Sequence, residues 1–151
     1  MPEERDLVLT RVYPISPERL FQLWTDPKHF TRWFGPRSFT FPACEIDARP
    51  GGEWFIVFRD PYGVEFTNRC VYTDFSPSVR LAFKGVVLDS AGTIFLEGTT
   101  TVTFEPEGAG TKQTIHTTAT ARAANTTAML AGMEPGWIES LDRLNELCSA
   151  Q

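Results

Sequence analysis

Residues 53–72 read Glu-Trp-Phe-Ile-Val-Phe-Arg-Asp-Pro-Tyr-Gly-Val-Glu-Phe-Thr-Asn-Arg-Cys-Val-Tyr, and the turn at their centre decides the fold. Two runs rich in aromatic and β-branched residues flank Asp60-Pro61-Tyr62-Gly63, the composition of two strands joined by a tight turn. Pro61 fixes a negative φ, which excludes it from the first position of the primed two-residue hairpin turns. A type I turn closed by a left-handed Gly63 remains. It pairs Asp60 with Val64, hence Phe58 with Phe66, Ile56 with Asn68 and Trp54 with Cys70. Cross-strand partners share a face. One face then carries Trp54, Ile56, Phe58, Phe66, Asn68, Cys70 and Tyr72, and the other carries Arg59 opposite Glu65.

The same logic extends to both sides. Arg49-Pro50-Gly51-Gly52 repeats the x-Pro-x-Gly pattern, which pairs Arg49 with Glu53, Ala48 with Trp54, Ile46 with Ile56 and Cys44 with Phe58. Phe55 and Val57 fall on the outer side. Further turn signals at Ser76-Pro77-Ser78, Asp89-Ser90-Ala91-Gly92 and Glu105 to Gly110 divide residues 39–121 into six strands. Leu7–Tyr13 supplies a seventh. Leu81, Phe83, Val102 and Phe104 continue the apolar face. Short, regular connections predict an antiparallel meander with one greasy side, which needs a cover.

The cover is helical. Leu130, Met133, Trp137, Leu141, Leu144 and Cys148 recur every three or four residues, one continuous stripe. Pro135-Gly136 interrupts it and predicts a kink, or a helix that begins afresh near Glu134. Two short helices precede the second strand. Ser16-Pro17-Glu18 and Asp26-Pro27 are start signals, Leu20, Phe21 and Trp24 form the first apolar stripe, Phe30, Trp33 and Phe34 the second, and Gly35-Pro36 the stop. The fold class is α+β: a curved seven-stranded antiparallel sheet wrapped around a long C-terminal helix.

Composition narrows the partners. The 151 residues include 12 Phe, 4 Trp and 3 Tyr, and the net charge is −5. Aromatics fill cores and also line pockets for flat or greasy ligands. An acidic chain without a basic run disfavours nucleic acid, and no apolar segment is long enough for membrane insertion. The charged N-terminus argues against a secretory signal. Three widely spaced cysteines argue against a disulfide framework and a zinc site, and fit a reducing cytoplasm. No Gly-rich phosphate loop or metal-spaced set is present, so no cofactor and no metal is expected.

Trp24-Thr25-Asp26-Pro27, Trp33-Phe34-Gly35-Pro36, Asp47-Ala48-Arg49-Pro50-Gly51-Gly52-Glu53-Trp54, Pro61-Tyr62-Gly63, Gly110-Thr111 and Gly136-Trp137-Ile138-Glu139-Ser140-Leu141 occur in that order. The ordered set resembles the family named after the activator of Hsp90 ATPase, within the START-like (Bet v 1-like, SRPBCC) superfamily, from Leu7 to Leu147. The resemblance implies one helix-grip domain over residues 1–151 that serves as a container, as in lipid carriers, plant hormone receptors and aromatic polyketide cyclases. It does not imply the co-chaperone activity, because the family's namesake engages Hsp90 through a further N-terminal domain. Many relatives have Gly in the fourth strand where this chain has Cys70, whose thiol points inward under the register above and narrows the pocket.

The leading expectation is a binding protein for a small lipophilic or aromatic ligand. Its pocket would be lined by Trp33, Trp54, Ile56, Phe58, Phe66, Asn68, Cys70, Tyr72, Phe83, Met129, Met133 and Trp137, with Trp33 and Phe34 at one rim. Asn68 and Tyr72 are polar tips on an apolar face that would orient a ligand. Two alternatives stand beside it. An enzyme of cyclase or hydrolase type, acting on an aromatic metabolite, needs an ionisable group inside; His116 is the candidate, its facing left open by the turn at Glu105 to Gly110. A protein-interaction or co-chaperone-like stress-response module, or a homodimer, needs an outer apolar patch, for which Phe55 and Val57 are the suspects.

Overall fold

In the computed structural model, which describes residues 3–123 and 130–150, seven strands form one antiparallel sheet among the described residues. In chain order they are β1 (Glu4–Tyr13), β2 (Thr40–Ile46), β3 (Glu53–Arg59), β4 (Glu65–Ser76), β5 (Arg80–Asp89), β6 (Ile94–Glu107) and β7 (Gly110–Ala121). Across the sheet the order is β1-β7-β6-β5-β4-β3-β2. Helices α1 (Pro17–Thr25) and α2 (Pro27–Phe30) follow β1, and α3 (Met133–Ser149) closes the chain. This is the helix-grip architecture.

The short helices start where the sequence predicts. The Ser16 hydroxyl accepts from the Arg19 amide at 3.2 Å and the Asp26 carboxylate from the Lys28 amide at 2.9 Å, with Pro17 and Pro27 at the first helical positions. In α3, Gly132 takes the cap position and Pro135 falls in the first turn, where its missing N–H costs no helical bond. The helix therefore begins afresh there and continues to Ser149.

The central hairpin has the expected register: Phe58↔Phe66, Ile56↔Asn68 and Trp54↔Cys70, with Gly63 at φ +87°. The β2–β3 register differs by two residues. Gly51, not Gly52, takes the positive φ (+75°), giving Pro50-Gly51 the central positions of a type II turn. The loop is longer than a bulged hairpin and Asp47, not Arg49, bonds to Glu53. Ile46 accordingly pairs with Trp54 and Cys44 with Ile56. An even shift preserves facing, so Cys44 and Ile46 still point inward. Ala48 instead lies exposed in the loop, and Arg49 pairs with Asp47 at 2.7 Å rather than standing opposite Glu53. The β6–β7 turn is shorter than expected: Glu107 pairs with Gly110 around Gly108-Ala109. Pro106 stays in the strand because the last β5–β6 pair is Arg80↔Thr103, so its missing N–H breaks no ladder bond on that side.

Curvature has two sources. Bulges interrupt pairing between Thr40 and Ala43, Tyr72 and Asp74, and Val87 and Leu88. The second of these places both Tyr72 and Phe75 inward, against Phe83 and Leu81. Between bulges, Gly85 and Gly98 face each other across β5 and β6. A Cβ on Gly85 would lie 2.1 Å from the Arg69 carbonyl oxygen, and one on Gly98 2.4 Å from that of Thr118. Only glycine permits such close approach of neighbouring backbone.

Gly85→Ala and Gly98→Ala are each expected to lower unfolding free energy by about 1–3 kcal/mol, because backbone must shift to admit the methyl group. Gly136→Ala has open space around the new carbon and should raise it by about 0.5–1 kcal/mol through helix propensity. Urea denaturation of the three variants checks both signs.

Candidate functional site

Alternation sends one residue in two of each strand toward α1, α2 and α3, and the interior so enclosed has two unlike halves. The deep half is solid. Trp24, Phe30, Trp54, Tyr72, Leu81 and Phe83 meet there and leave no room for a water molecule. Trp54 is the hub, edge-on to Phe30 at 5.3 Å and to Phe83 at 5.1 Å between ring centres. Trp33 is fully buried against Trp24 and Phe30, its indole N–H donating to the Leu23 carbonyl at 2.9 Å. The Trp24 indole donates to Gln113 Oε1 at 2.7 Å, and the Tyr13 hydroxyl to the Leu141 carbonyl at 3.4 Å. These bonds satisfy polar atoms that burial would otherwise leave costly, and tie α1 and α3 to β1 and β7.

The other half is hollow. One row of inward positions runs Trp54, Cys70, Gly85, Gly98, Ala119 across five strands. After Trp54 every member is small, so nothing rises from the sheet to meet α3. Two adjoining chambers of about 130 and 210 Å³ occupy this space. Both are lined by Phe34, Asn68, Leu96, Met133 and Trp137. Cys70, Phe83, Gly85, Val87, Gly98 and Ala119 belong to the smaller one, and Phe41, Phe58 and Ser140 to the larger.

Few polar groups reach these chambers. Asn68 Oδ1 accepts from the Cys70 thiol at 3.3 Å. Thr100 and Thr117, both buried, share a hydroxyl–hydroxyl bond of 2.8 Å at the edge of the smaller chamber. Among the described residues no charged side chain points in; Glu97, whose backbone borders the smaller chamber, faces outward and pairs with Arg122 at 2.7 Å. Desolvation pushes the Cys70 thiol up to about 12 and raises the Tyr72 phenol as well.

The rim is held by α3. The Ser140 hydroxyl accepts from the Gly35 amide at 2.9 Å, and Arg143 donates to the carbonyls of Gly35 and Arg32, both at 2.8 Å. Glu139 takes the Arg37 amide at 2.6 Å, and Arg37 pairs with Glu146. Gly35, at φ +90°, turns the chain so that these groups face the helix.

The structure thus brings together Phe58, Asn68, Cys70, Phe83, Met133 and Trp137 of the expected lining. Phe66 stacks on Phe58 at 6.0 Å and lines neither chamber. Trp33, Trp54, Ile56 and Tyr72 belong to the solid half, and Met129 lies outside the described residues. His116 faces solvent, bonded to Asp6 at 2.8 Å with both side chains 57% exposed, so it supplies no internal base and the enzyme reading loses its candidate. Phe55 is covered by the Arg69 guanidinium at 5.2 Å and Val57 is half-buried, so these two do not make an outer apolar patch. Phe34 and Leu96 line both chambers, as does Asn68. Leu96 was missed because a bulge at Phe95 sets its facing. The floor itself could have been found in the two glycines, Gly85 and Gly98, inside strand sequences.

A curved sheet gripping a helix over a hollow lined by apolar side chains defines the helix-grip class of folds. The chain belongs to the family described as Activator of Hsp90 ATPase homolog 1-like protein, whose model matches residues 14–149. Solved structures agree over nearly full length. A protein of Chromobacterium violaceum is similar at 25% identity and TM-score 0.82, covering 95% of this chain and 96% of that one. A protein of Rhizobium leguminosarum is similar at 26% identity and TM-score 0.80, covering 100% and 98%. The AHSA1 protein of Silicibacter pomeroyi is similar at 25% identity and TM-score 0.79, covering 97% and 100%. No curated protein matches the chain. No helix of the described residues is long and apolar enough to cross a membrane.

The thiols yield a pH prediction. Burial raises Cys70 and Cys148 to about 12, and burial with the Glu45 charge raises Cys44 to about 11, from an ordinary 9.0. The folded state then holds more protons than the unfolded one above pH 9.0, and Tyr13 and Tyr72, also raised, act in the same direction. Stability is expected to be full with respect to these groups below that pH and to fall as pH rises toward 12. At neutral pH a disulfide reagent should label half-buried Cys44 before Cys70 and Cys148, which urea unfolding exposes. Denaturation midpoints against pH and mass-resolved thiol labelling check the two statements.

Proposed function

We propose that the chain is a cytoplasmic, single-domain binding protein that holds a small apolar or aromatic molecule in the twin chamber between the sheet and α3. The observation that carries this reading is the row of small side chains, Cys70, Gly85, Gly98 and Ala119, beneath Trp137 and Met133. A packed core would place large side chains there. Apolar walls provide affinity through burial at about 25 cal/mol per Å² before entropic costs, Trp137 and Phe34 present ring faces and edges to a flat ligand, and Met133 adapts to its outline. The family membership supports the container reading, and three free cysteines support a reducing compartment.

Prodan, a neutral naphthyl ketone whose emission shifts to the blue in apolar surroundings, tests the proposal. Addition to the protein is expected to shift its emission and quench Trp137 fluorescence. Ala119→Leu fills the floor with three added carbons and should weaken binding by at least about tenfold, with the melting temperature nearly unchanged. Equal binding by the filled variant would overturn the proposed location.

A further inference from the structure

We infer that the chamber selects a neutral, one- or two-ring ligand carrying a hydrogen-bond acceptor, and that Asn68 is the residue that engages it; this rests on the container reading above. Size comes first. A dry cavity of about 150 Å³ accommodates benzene, so chambers of about 130 and 210 Å³ suit one ring each, or two fused rings across both. A long acyl chain or a four-ring skeleton exceeds them.

Charge comes second. An ionised group taken out of water needs a partner. Glu97 is the one charged residue among the described lining, and its carboxylate faces solvent, paired with Arg122; residues 124–129, Ala-Asn-Thr-Thr-Ala-Met, carry no charge. Arg143, close to the rim, already spends its guanidinium on the carbonyls of Gly35 and Arg32. An anionic ligand would therefore enter without compensation.

Polarity comes third. Asn68 borders both chambers. The Cys70 thiol, held protonated by burial, donates to Oδ1 and so fixes which way the amide lies. Nδ2 has no partner among the described residues and is left as a donor. A ligand carbonyl or ether oxygen satisfies it, while a hydrocarbon of the same shape does not. In the Thr100–Thr117 pair, one of two hydroxyl protons closes the mutual bond and the other remains to support the same acceptor from the floor.

The test compares acetylnaphthalene, ethylnaphthalene and naphthoate, substituted at the same ring position, by displacement of prodan from wild type, Asn68→Leu and Thr117→Val. Acetyl and carboxylate are nearly isosteric, so charge is isolated; acetyl and ethyl differ in the acceptor. Wild type is expected to bind naphthoate at least about tenfold more weakly than the ketone. Asn68→Leu should weaken the ketone by about tenfold, as an acceptor left dry loses its partner, while leaving the hydrocarbon within about threefold, which also verifies the fold of the variant. Thr117→Val should weaken the ketone less. Equal effects of Asn68→Leu on ketone and hydrocarbon would overturn the anchor and keep the container. Tightest binding of naphthoate, or prodan binding that none of the three displaces, would overturn the ligand class. Failure of prodan and all three naphthalenes to bind would remove the container reading itself.

Discussion

The close approach of backbone at Gly85 and Gly98 governs this molecule. Because a Cβ at either position would collide with a carbonyl of the adjoining strand, β4 to β7 bend together there as no sheet of larger residues would. Phe58 and Asn68 of the β3–β4 hairpin line one chamber together with Met133 and Trp137 at the start of α3. The same absence of side chains that permits the bend leaves nothing to fill the space beneath it. The bulges add to the curvature, but the bend at this row and the hollow beneath it share one cause. At about 24 cal/mol per Å³, an empty 210 Å³ chamber costs on the order of 5 kcal/mol, an upper bound since it opens to solvent. That is comparable with the whole net stability of a small domain. Such a space persists only where the remainder of the core is strong.

The remainder is the aromatic half. Trp24, Phe30, Trp33, Phe34, Trp54 and Phe83 form an unbroken chain of ring contacts between 4.5 and 6.2 Å. The two short helices are fastened to the sheet by this chain, and Phe34, one of its inner members, also lines both chambers. A wall of the hollow is thus an extension of the packed core, which keeps it open by keeping its rim in place. The Gly35–Ser140 and Arg143 bonds do the same from the helix side.

Much of this was legible in the sequence. A single proline-constrained turn gave the register of the central hairpin and hence which residues of β3 and β4 face inward, and hydrophobic spacing gave α3. The failures were turn failures. In Arg49-Pro50-Gly51-Gly52 either glycine suits a positive φ, and local chemistry alone could not choose Gly51; the choice is made by Gly52, whose Cβ would lie 2.0 Å from the Asp47 carbonyl. His116 and Leu96 were beyond reach for a related reason: facing past a turn or a bulge depends on counting residues that only the fold counts. The division of the interior was hidden too. Trp33, Trp54 and Phe58 are equally apolar in sequence, and which of them meets empty space depends on the row of small residues opposite.

Alternation explains how the interior stays neutral although the chain carries 33 charged side chains other than histidine. On the outer face, Arg59 pairs with Glu65, Arg122 with Glu97, and Asp6 accepts from His116 and Thr118. Each of these sits one residue from an inward apolar position, so register is enforced from both sides: a slip by one would bury the ions and expose the rings. Charge is therefore excluded from the chamber by the same pairing that builds the sheet. What the interior can read in a ligand is shape, through Phe34, Met133 and Trp137, and the placing of one polar atom, through Asn68.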